Sequence, residues 1–326
     1  MPRIRRILVA VKDTSARKMP AVDKAAQLAR ALKAELELYH AIAEPVYIDA
    51  LSLAGQSLNQ LQKKWRDAHL KKLEKVATRL REAGTKVATC VEWDNPPFEA
   101  VVRRASRSKA DLVVAERHGG RHIAQWLLRF TDWELLRHCP VPVLLVKSGA
   151  PWDKPAVLAA VDPTHSFAKP AKLDAALLDA ATTVSAALGG TLHVAHAFAP
   201  AALDIERLEL GVPNIAAQLE AEAARHAAEA LDKALKGRSL PAAQRHLLPR
   251  HAVDAIPACA KDLKAGLVVM GAVSRSGLKR LLIGNTAERI LDALACDVLV
   301  VKPARFAAKV PRGRRGVQFI ATPLVA

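Results

Sequence analysis

The sequence predicts an α/β protein made of two tandem open sheets, each five-stranded, parallel and flanked by helices. Three observations predict it. Short apolar runs alternate with helical periodicities along the chain, which is the pattern of a parallel sheet covered on both faces. The pattern is written twice: Asp111-Leu-Val-Val-Ala115 aligns with Gly266-Leu-Val-Val-Met270, Thr131-Asp-Trp-Glu-Leu-Leu with Thr286-Ala-Glu-Arg-Ile-Leu, and Val143-Leu-Leu-Val-Lys147 with Val298-Leu-Val-Val-Lys302, all at one ungapped offset of 155 residues. A length of 326 residues suits two domains, each with its own core.

The elements follow in order. The opening run Ile7-Leu-Val-Ala-Val-Lys-Asp13 matches Val157-Leu-Ala-Ala-Val-Asp162, and each reads as a buried strand. A helix comes next, with Val22, Ala25, Ala26, Ala29 and Leu32 on one face, or Leu177, Ala181, Val184 and Leu188 in the second copy. Second strands are expected at 35–41 and 191–198, and long charged helices at 57–83 and 214–236. Strands at 86–91 and 244–248 precede helices at 97–109 and 252–264. The fourth strands, helices at 131–138 and 286–294, and the fifth strands complete each copy. Gly and Pro cluster at Ser148-Gly-Ala-Pro-Trp-Asp-Lys-Pro155, which sets the domains at 1–150 and 151–303, with a basic tail at 304–326.

Composition removes several classes. No apolar run approaches the roughly 20 residues that span a bilayer, and Ile7–Val11 is too short for a signal-peptide core, so the expectation is a cytoplasmic protein. Cys90, Cys139, Cys259 and Cys296 form no CxxC pair, which points to buried thiols rather than zinc or disulfides. His118 with His122, and His193 with His196, lack further ligands at metal spacing. No serine sits in a GxSxG context, and the chain carries no enzyme signature. The net charge of +17 is uneven: residues 1–150 carry +11, residues 151–302 carry +1 and the tail carries +5. That balance favours anionic partners, although the basic residues are dispersed without interleaved aromatics.

In a parallel sheet of this kind ligands bind beyond the carboxyl ends of the strands. In the second half those ends bring Gly271, Ser274, Arg275, Lys279 and Gly284 before a helix start at Asn285-Thr286-Ala-Glu288, where Asn285 and Glu288 read as a capping box. A helix start offers free N–H groups to a phosphate, and glycine permits close backbone approach. The series Gly271, Ser274, Gly284, Asn285 resembles the nucleotide motif of the universal stress protein family: Gly, two residues, Gly, nine residues, Gly, then Ser or Thr. The spacing fits and two residue types depart from the pattern. The run Gly284–Glu288, with Thr131-Asp-Trp133, looks like the tandem E-type subgroup of that family. The resemblance covers about residues 4–302. It implies an adenine nucleotide alpha hydrolase-like fold and an ATP site, with any Mg²⁺ arriving on the nucleotide. The implied site comprises Asp162, Pro163 and Thr164 after the first strand and Ala195 on the second. Met270, Gly271, Ser274 and Arg275 follow the fourth strand, and Gly284, Asn285 and Thr286 stand at the helix start. It also implies a pseudo-dimer of the two domains through Val143–Val146 and Val298–Val301, and a homodimer as a further assembly.

At the same offset the first half has Glu116, Arg129 and Phe130 where the second has Gly271, Gly284 and Asn285, and Asp132 would repel a phosphate. Thr131 and Glu134 keep a capping box. The first half is therefore expected not to hold ATP in the family's manner. Trp93, Phe98, Trp126, Phe130 and Trp133 offer aromatic surface for a lipid or other apolar ligand instead. Two alternatives to a nucleotide-binding stress-response protein follow. One is an interaction protein for lipid, apolar ligand or nucleic acid with a vestigial site. The other is a slow ATP-hydrolysing switch. Arg312-Gly-Arg-Arg-Gly316 reads as a solvated tail segment with the charge to touch RNA, DNA or acidic lipid.

Overall fold

The computed structural model describes residues 3–48, 58–117, 133–164, 173–198, 215–271, 285–303, 306 and 310–321. It divides into two compact units. One comprises residues 2–151 together with 306–326, the other residues 152–305.

In the first unit, β1 (Arg6–Ala10), α1 (Pro20–Leu32), β2 (Glu35–Ile42), β3 (Val46–Ile48), α2 (Leu58–Glu82), β4 (Val87–Trp93), α3 (Pro97–Ser108), β5 (Leu112–Glu116), α4 (133–138) and β6 (Val143–Val146) follow one another. Five of these strands form a parallel sheet in the order β4-β2-β1-β5-β6. The central strands are apolar on both faces, with Ile7, Leu8, Val9, Leu112, Val113 and Val114 at 1% exposure or less. A strand sandwiched between helices requires this, since neither face meets water. Asp111 Oδ2 accepts the backbone N–H groups of Arg5 and Arg6 at 2.8 and 3.0 Å, which fixes the start of β5 beside β1.

The second unit repeats the frame: β7 (Ala156–Val161), α5 (Leu173–Ala187), β8 (Thr191–Ala197), α6 (Ile215–Leu235), β9 (Arg245–Leu248), α7 (Ala252–Asp262), β10 (Leu267–Gly271), α8 (Asn285–Ala293) and β11 (Asp297–Val301). Its parallel order is β9-β8-β7-β10-β11. β5 and β10, and the starts of α3 and α7, keep the 155-residue offset. Even a local device is copied: Lys109 and Lys264 end α3 and α7 in the left-handed region, at φ 52° and 48°. Each stands where glycine is the usual terminator.

The expected elements lie within two residues of those observed, except that two short strands were not foreseen. β3 pairs in parallel with β12 (Phe319–Ala321), in a separate two-stranded ribbon. The segment expected as a solvated tail therefore departs from that reading: residues 310–321 pack on the first unit. The physical reason is charge pairing. Arg314 and Arg315 meet Glu92 and Glu99, each at 2.9 Å, and these acids belong to β4 and α3.

Candidate functional site

The strand order of the second unit reverses direction at β7, between β8 and β10, and this switch point opens beyond the carboxyl ends. The register brings the expected residues to it. Ala160 of β7 stands between Ala195 of β8 and Met270 of β10. Ala195 is fully buried and Met270 is 4% exposed, so the row is apolar. Asp162 follows the end of β7. Its backbone N–H donates to Asp174 Oδ1 at 3.3 Å, and its Oδ1 accepts the Thr164 hydroxyl at 3.4 Å. Pro163 and Thr164 form the turn behind it. Gly271 ends β10, opposite Val301 of β11. Thr286 lies in the first turn of α8, where backbone N–H groups have no partner within the helix.

Eight of the eleven expected residues thus have a described backbone, and the strand residues among them stand at one end of one sheet. Ser274, Arg275 and Gly284 lie outside the described residues, as does the side chain of Asn285. Gly271 carries a physical role not foreseen. A Cβ there would lie 2.9 Å from Leu173 Cδ2, so the space beside this glycine is filled by α5.

The same row in the first unit reads Tyr39, Ala10 and Ala115. Tyr39 takes the place of Ala195 and is fully buried. Its hydroxyl donates to Glu92 Oε2 at 3.3 Å, and burial followed by the neighbouring Glu92 pushes the phenol well above its ordinary range. Glu116, half-buried, ends β5 where Gly271 ends β10. Around Tyr39 runs a charged network: Arg104 pairs with Glu37 and Glu92, and Arg107 with Glu92. At the place of Ala195 the first unit thus puts a bulky phenol, and at the place of Gly271 a carboxylate.

Three of the first half's five expected aromatic residues are described, each against a different partner. Trp93 stacks on Trp65 with centroids 6.0 Å apart and donates from Nε1 to Gln62 O. Phe98 meets His138 at 5.6 Å, and the Arg117 guanidinium lies over Trp133. Trp126, Phe130, Asp132, Arg129, His118 and His122 lie outside the described residues. So does Thr131, while its expected capping partner Glu134 accepts from Arg137 and His138 at 2.8 and 2.9 Å.

Two histidine groupings escaped sequence reasoning because their partners are distant in the chain. His193 faces His246 of β9, Nδ1 to Nε2 at 3.0 Å, and burial lowers both pKa values. In the first unit His40 donates from Nδ1 to Val11 O at 2.8 Å and stacks on His69 with centroids 4.8 Å apart. His69 Nδ1 lies 2.8 Å from the Thr14 hydroxyl. The parallel pairing of β8 with β9 was the available signal for the first grouping, since it places alternate residues of both strands on one face.

Comparison with known proteins agrees with the fold. A model of the universal stress protein family matches residues 3–147 and 156–302. The chain is 32% identical to universal stress protein E of Salmonella typhi over 232 residues, 69% of this chain and 71% of that protein. It is 25% identical to universal stress protein E of Photorhabdus laumondii over 301 residues, 92% and 95% of the two chains. The crystal structure of a functionally unknown protein from Pseudomonas aeruginosa PAO1 superimposes with a TM-score of 0.72 at 27% identity, covering 93% of this chain and 94% of that one.

Proposed function

The chain belongs to the universal stress protein family, and from that premise we propose that its second unit binds an adenine nucleotide, ATP, as part of a stress response. One observation carries the reading: Asp162, Ala195, Met270 and Gly271 stand at the carboxyl ends of neighbouring strands beside the switch point of one sheet, and α8 begins at Asn285 between β10 and β11. The residues suit the ligand. Ala195 and Met270 offer an apolar floor for a base. The Asp162 carboxylate offers an acceptor for a base or ribose. Thr286 and the N–H groups of the first turn of α8, which a helix leaves without an acceptor of its own, suit a phosphate, with Arg275 and Lys279 adding positive charge by sequence. Mg²⁺ enters only as the nucleotide's companion.

Mass spectrometry of ligands released from freshly purified protein, followed by titration with a fluorescent ATP analogue, tests this. Adenine nucleotide in the released fraction and saturable binding to the apo protein are expected. A chain that releases none and titrates none up to millimolar analogue ends the proposal.

A further inference from the structure

Residues 310–321 are seated on the first unit in a manner that uses main-chain positions as well as charge. Asp94, fully buried, divides its carboxylate: Oδ2 accepts Arg103 Nε at 2.8 Å, while Oδ1 accepts both Arg103 Nη2 at 2.8 Å and the backbone N–H of Arg315 at 3.0 Å. Glu99 does the same, with Oε2 accepting Arg103 Nη1 and Oε1 accepting Arg315 Nη2, both at 2.9 Å. Asn95 offers its whole amide to the segment. Its Nδ2 donates to Gly316 O at 2.9 Å and its Oδ1 accepts from Gln318 Nε2 at 3.2 Å. Arg103 Nη1 donates in addition to Pro311 O at 3.2 Å. Asp94, Glu99 and Arg103 thus bind the unit and the segment at once, while Asn95 turns both amide atoms to the segment. The contact ends in the parallel pairing of β12 with β3, in which Phe319, Ile320 and Ala321 match Val46, Tyr47 and Ile48.

The fold does not require this arrangement. At the 155-residue offset the second half has Pro249 for Asp94, Arg250 for Asn95 and Ala258 for Arg103. The same strand-to-helix corner is built there without the carboxylate, the amide or the guanidinium. Of the receiving groups the second half keeps just an acid at the place of Glu99, Asp254, and the arginines that meet the first unit's groups come from residues 314 and 315.

Strand addition combined with side-chain capture at fixed positions is a peptide-recognition mode. We infer that the first unit carries a binding site for an extended segment bearing Arg-Arg-Gly-x-Gln, occupied within the chain by residues 310–321 and open to the same segment of a second copy. Arg314 and Arg315 are about half exposed, at 50% and 51% of their side-chain surface, so water and competitors reach the outer ion pairs. A tethered segment competes at an effective concentration of order millimolar. Exchange between copies is therefore a minor state in dilute protein and grows with concentration.

The test uses the full chain and a labelled peptide of residues 310–321. In the variant Arg314→Glu/Arg315→Glu, like charge against Glu92 and Glu99 releases the segment, which amide exchange at β12 reads directly. Fluorescence anisotropy should show micromolar peptide binding to this variant, at least tenfold weaker binding to the unaltered chain, and at least tenfold weaker binding of a shuffled peptide to the variant. Equal binding by both chains overturns the inference, as does equal binding of native and shuffled peptides or no binding to the released variant. Persistent β12 protection in the variant overturns it too, because the guanidinium groups would then not be the anchor.

Discussion

The two units share a backbone and differ in what stands at the ends of their strands. In the second, the row Ala195, Ala160 and Met270 is apolar, with a carboxylate following one strand and a glycine ending another. In the first, Tyr39 fills the place of Ala195, Glu116 that of Gly271, and five arginines of α3 and the final segment tie down Glu37, Glu92 and Glu99. Register is set by hydrogen bonds and the apolar pattern, so it survives such replacement. Ligand choice depends on the volume and charge at a few strand ends, and there the copies have separated.

That contrast is most severely tested where charge is buried. Arg103→Ala leaves Asp94 without its bidentate partner at 0% exposure. Loss of one member of a buried pair costs about 3–5 kcal/mol. Denaturant unfolding of the full chain should show that loss, whereas Ala258→Ser at the matching place should change stability by well under 1 kcal/mol. A loss in Arg103→Ala no greater than in Ala258→Ser would mean that the cluster does not hold the first unit.

Thiol chemistry offers a second probe. Burial first, then Glu92, pushes Cys90 up to about 11. Against a free thiol near 8.5 its thiolate fraction at pH 8 falls by about two orders of magnitude. Alkylation followed by peptide mass mapping should find Cys90 slow by that factor, and Glu92→Gln should quicken it. Reaction at the free-thiol rate would contradict a closed, acid-lined first unit.

The ligand contrast is sharpened by giving the second unit a residue of the first. Gly284→Arg places there the side chain found at Arg129, and it should weaken ATP-analogue binding at least tenfold with the circular dichroism unchanged. Undiminished binding would place the ligand elsewhere.

Acid should weaken both units by the same physics. The pKa of His69 is lowered chiefly by burial, with His40 and Lys72 adding to this and Glu44 and Asp13 opposing it; those of His193 and His246 are also lowered by burial. For a histidine whose folded pKa lies below the unfolded value near 6.5, the unfolded chain takes up its proton first. Stability is then full above that pH and falls as pH drops toward the lower folded value. Thermal unfolding across pH 7.5–5 should show this slope, reduced by His69→Phe and independently by His246→Phe. A slope unaffected by either change would remove the histidines as its source.

The smallest effect concerns Gly271. Gly271→Ala brings a Cβ to 2.9 Å of the mobile end of Leu173, and overpacking there should cost about 1 kcal/mol, recovered when Leu173→Ala is added. Unfolding of nucleotide-free protein measures it. No recovery would leave Leu173 without a part in the choice of glycine.

Much of the frame was legible because the signals were local and repeated. Alternating apolar runs gave the strands, and the 155-residue offset tied β5 to β10 and α3 to α7. The positions of Asp162, Ala195 and Gly271 were legible through a family motif together with the rule for strand ends. Contacts between residues far apart in the chain were not. His193 and His246 are 53 residues apart and Asp94 and Arg315 are 221 apart, and no periodicity links either pair. Arg312-Gly-Arg-Arg-Gly316 reads as a solvated basic run because its acidic partners lie on two elements, β4 and α3, more than 200 residues earlier. The cross-register place of Tyr39 also needed the sheet, since only the pairing with Ala10 sets it level with Ala195.

The seat of residues 310–321 also has a consequence in time. A chain leaves the ribosome at about 5–20 residues per second. Every strand and helix of the first unit except β12 is synthesised by residue 146, but the segment that meets Asp94, Asn95 and Glu99 emerges roughly 170 residues later. For about ten to thirty seconds of synthesis those groups face solvent, and a chain halted anywhere in the second repeat keeps them open. The docked strand β12 thus records, on a part of the molecule made earlier, that synthesis has passed residue 321.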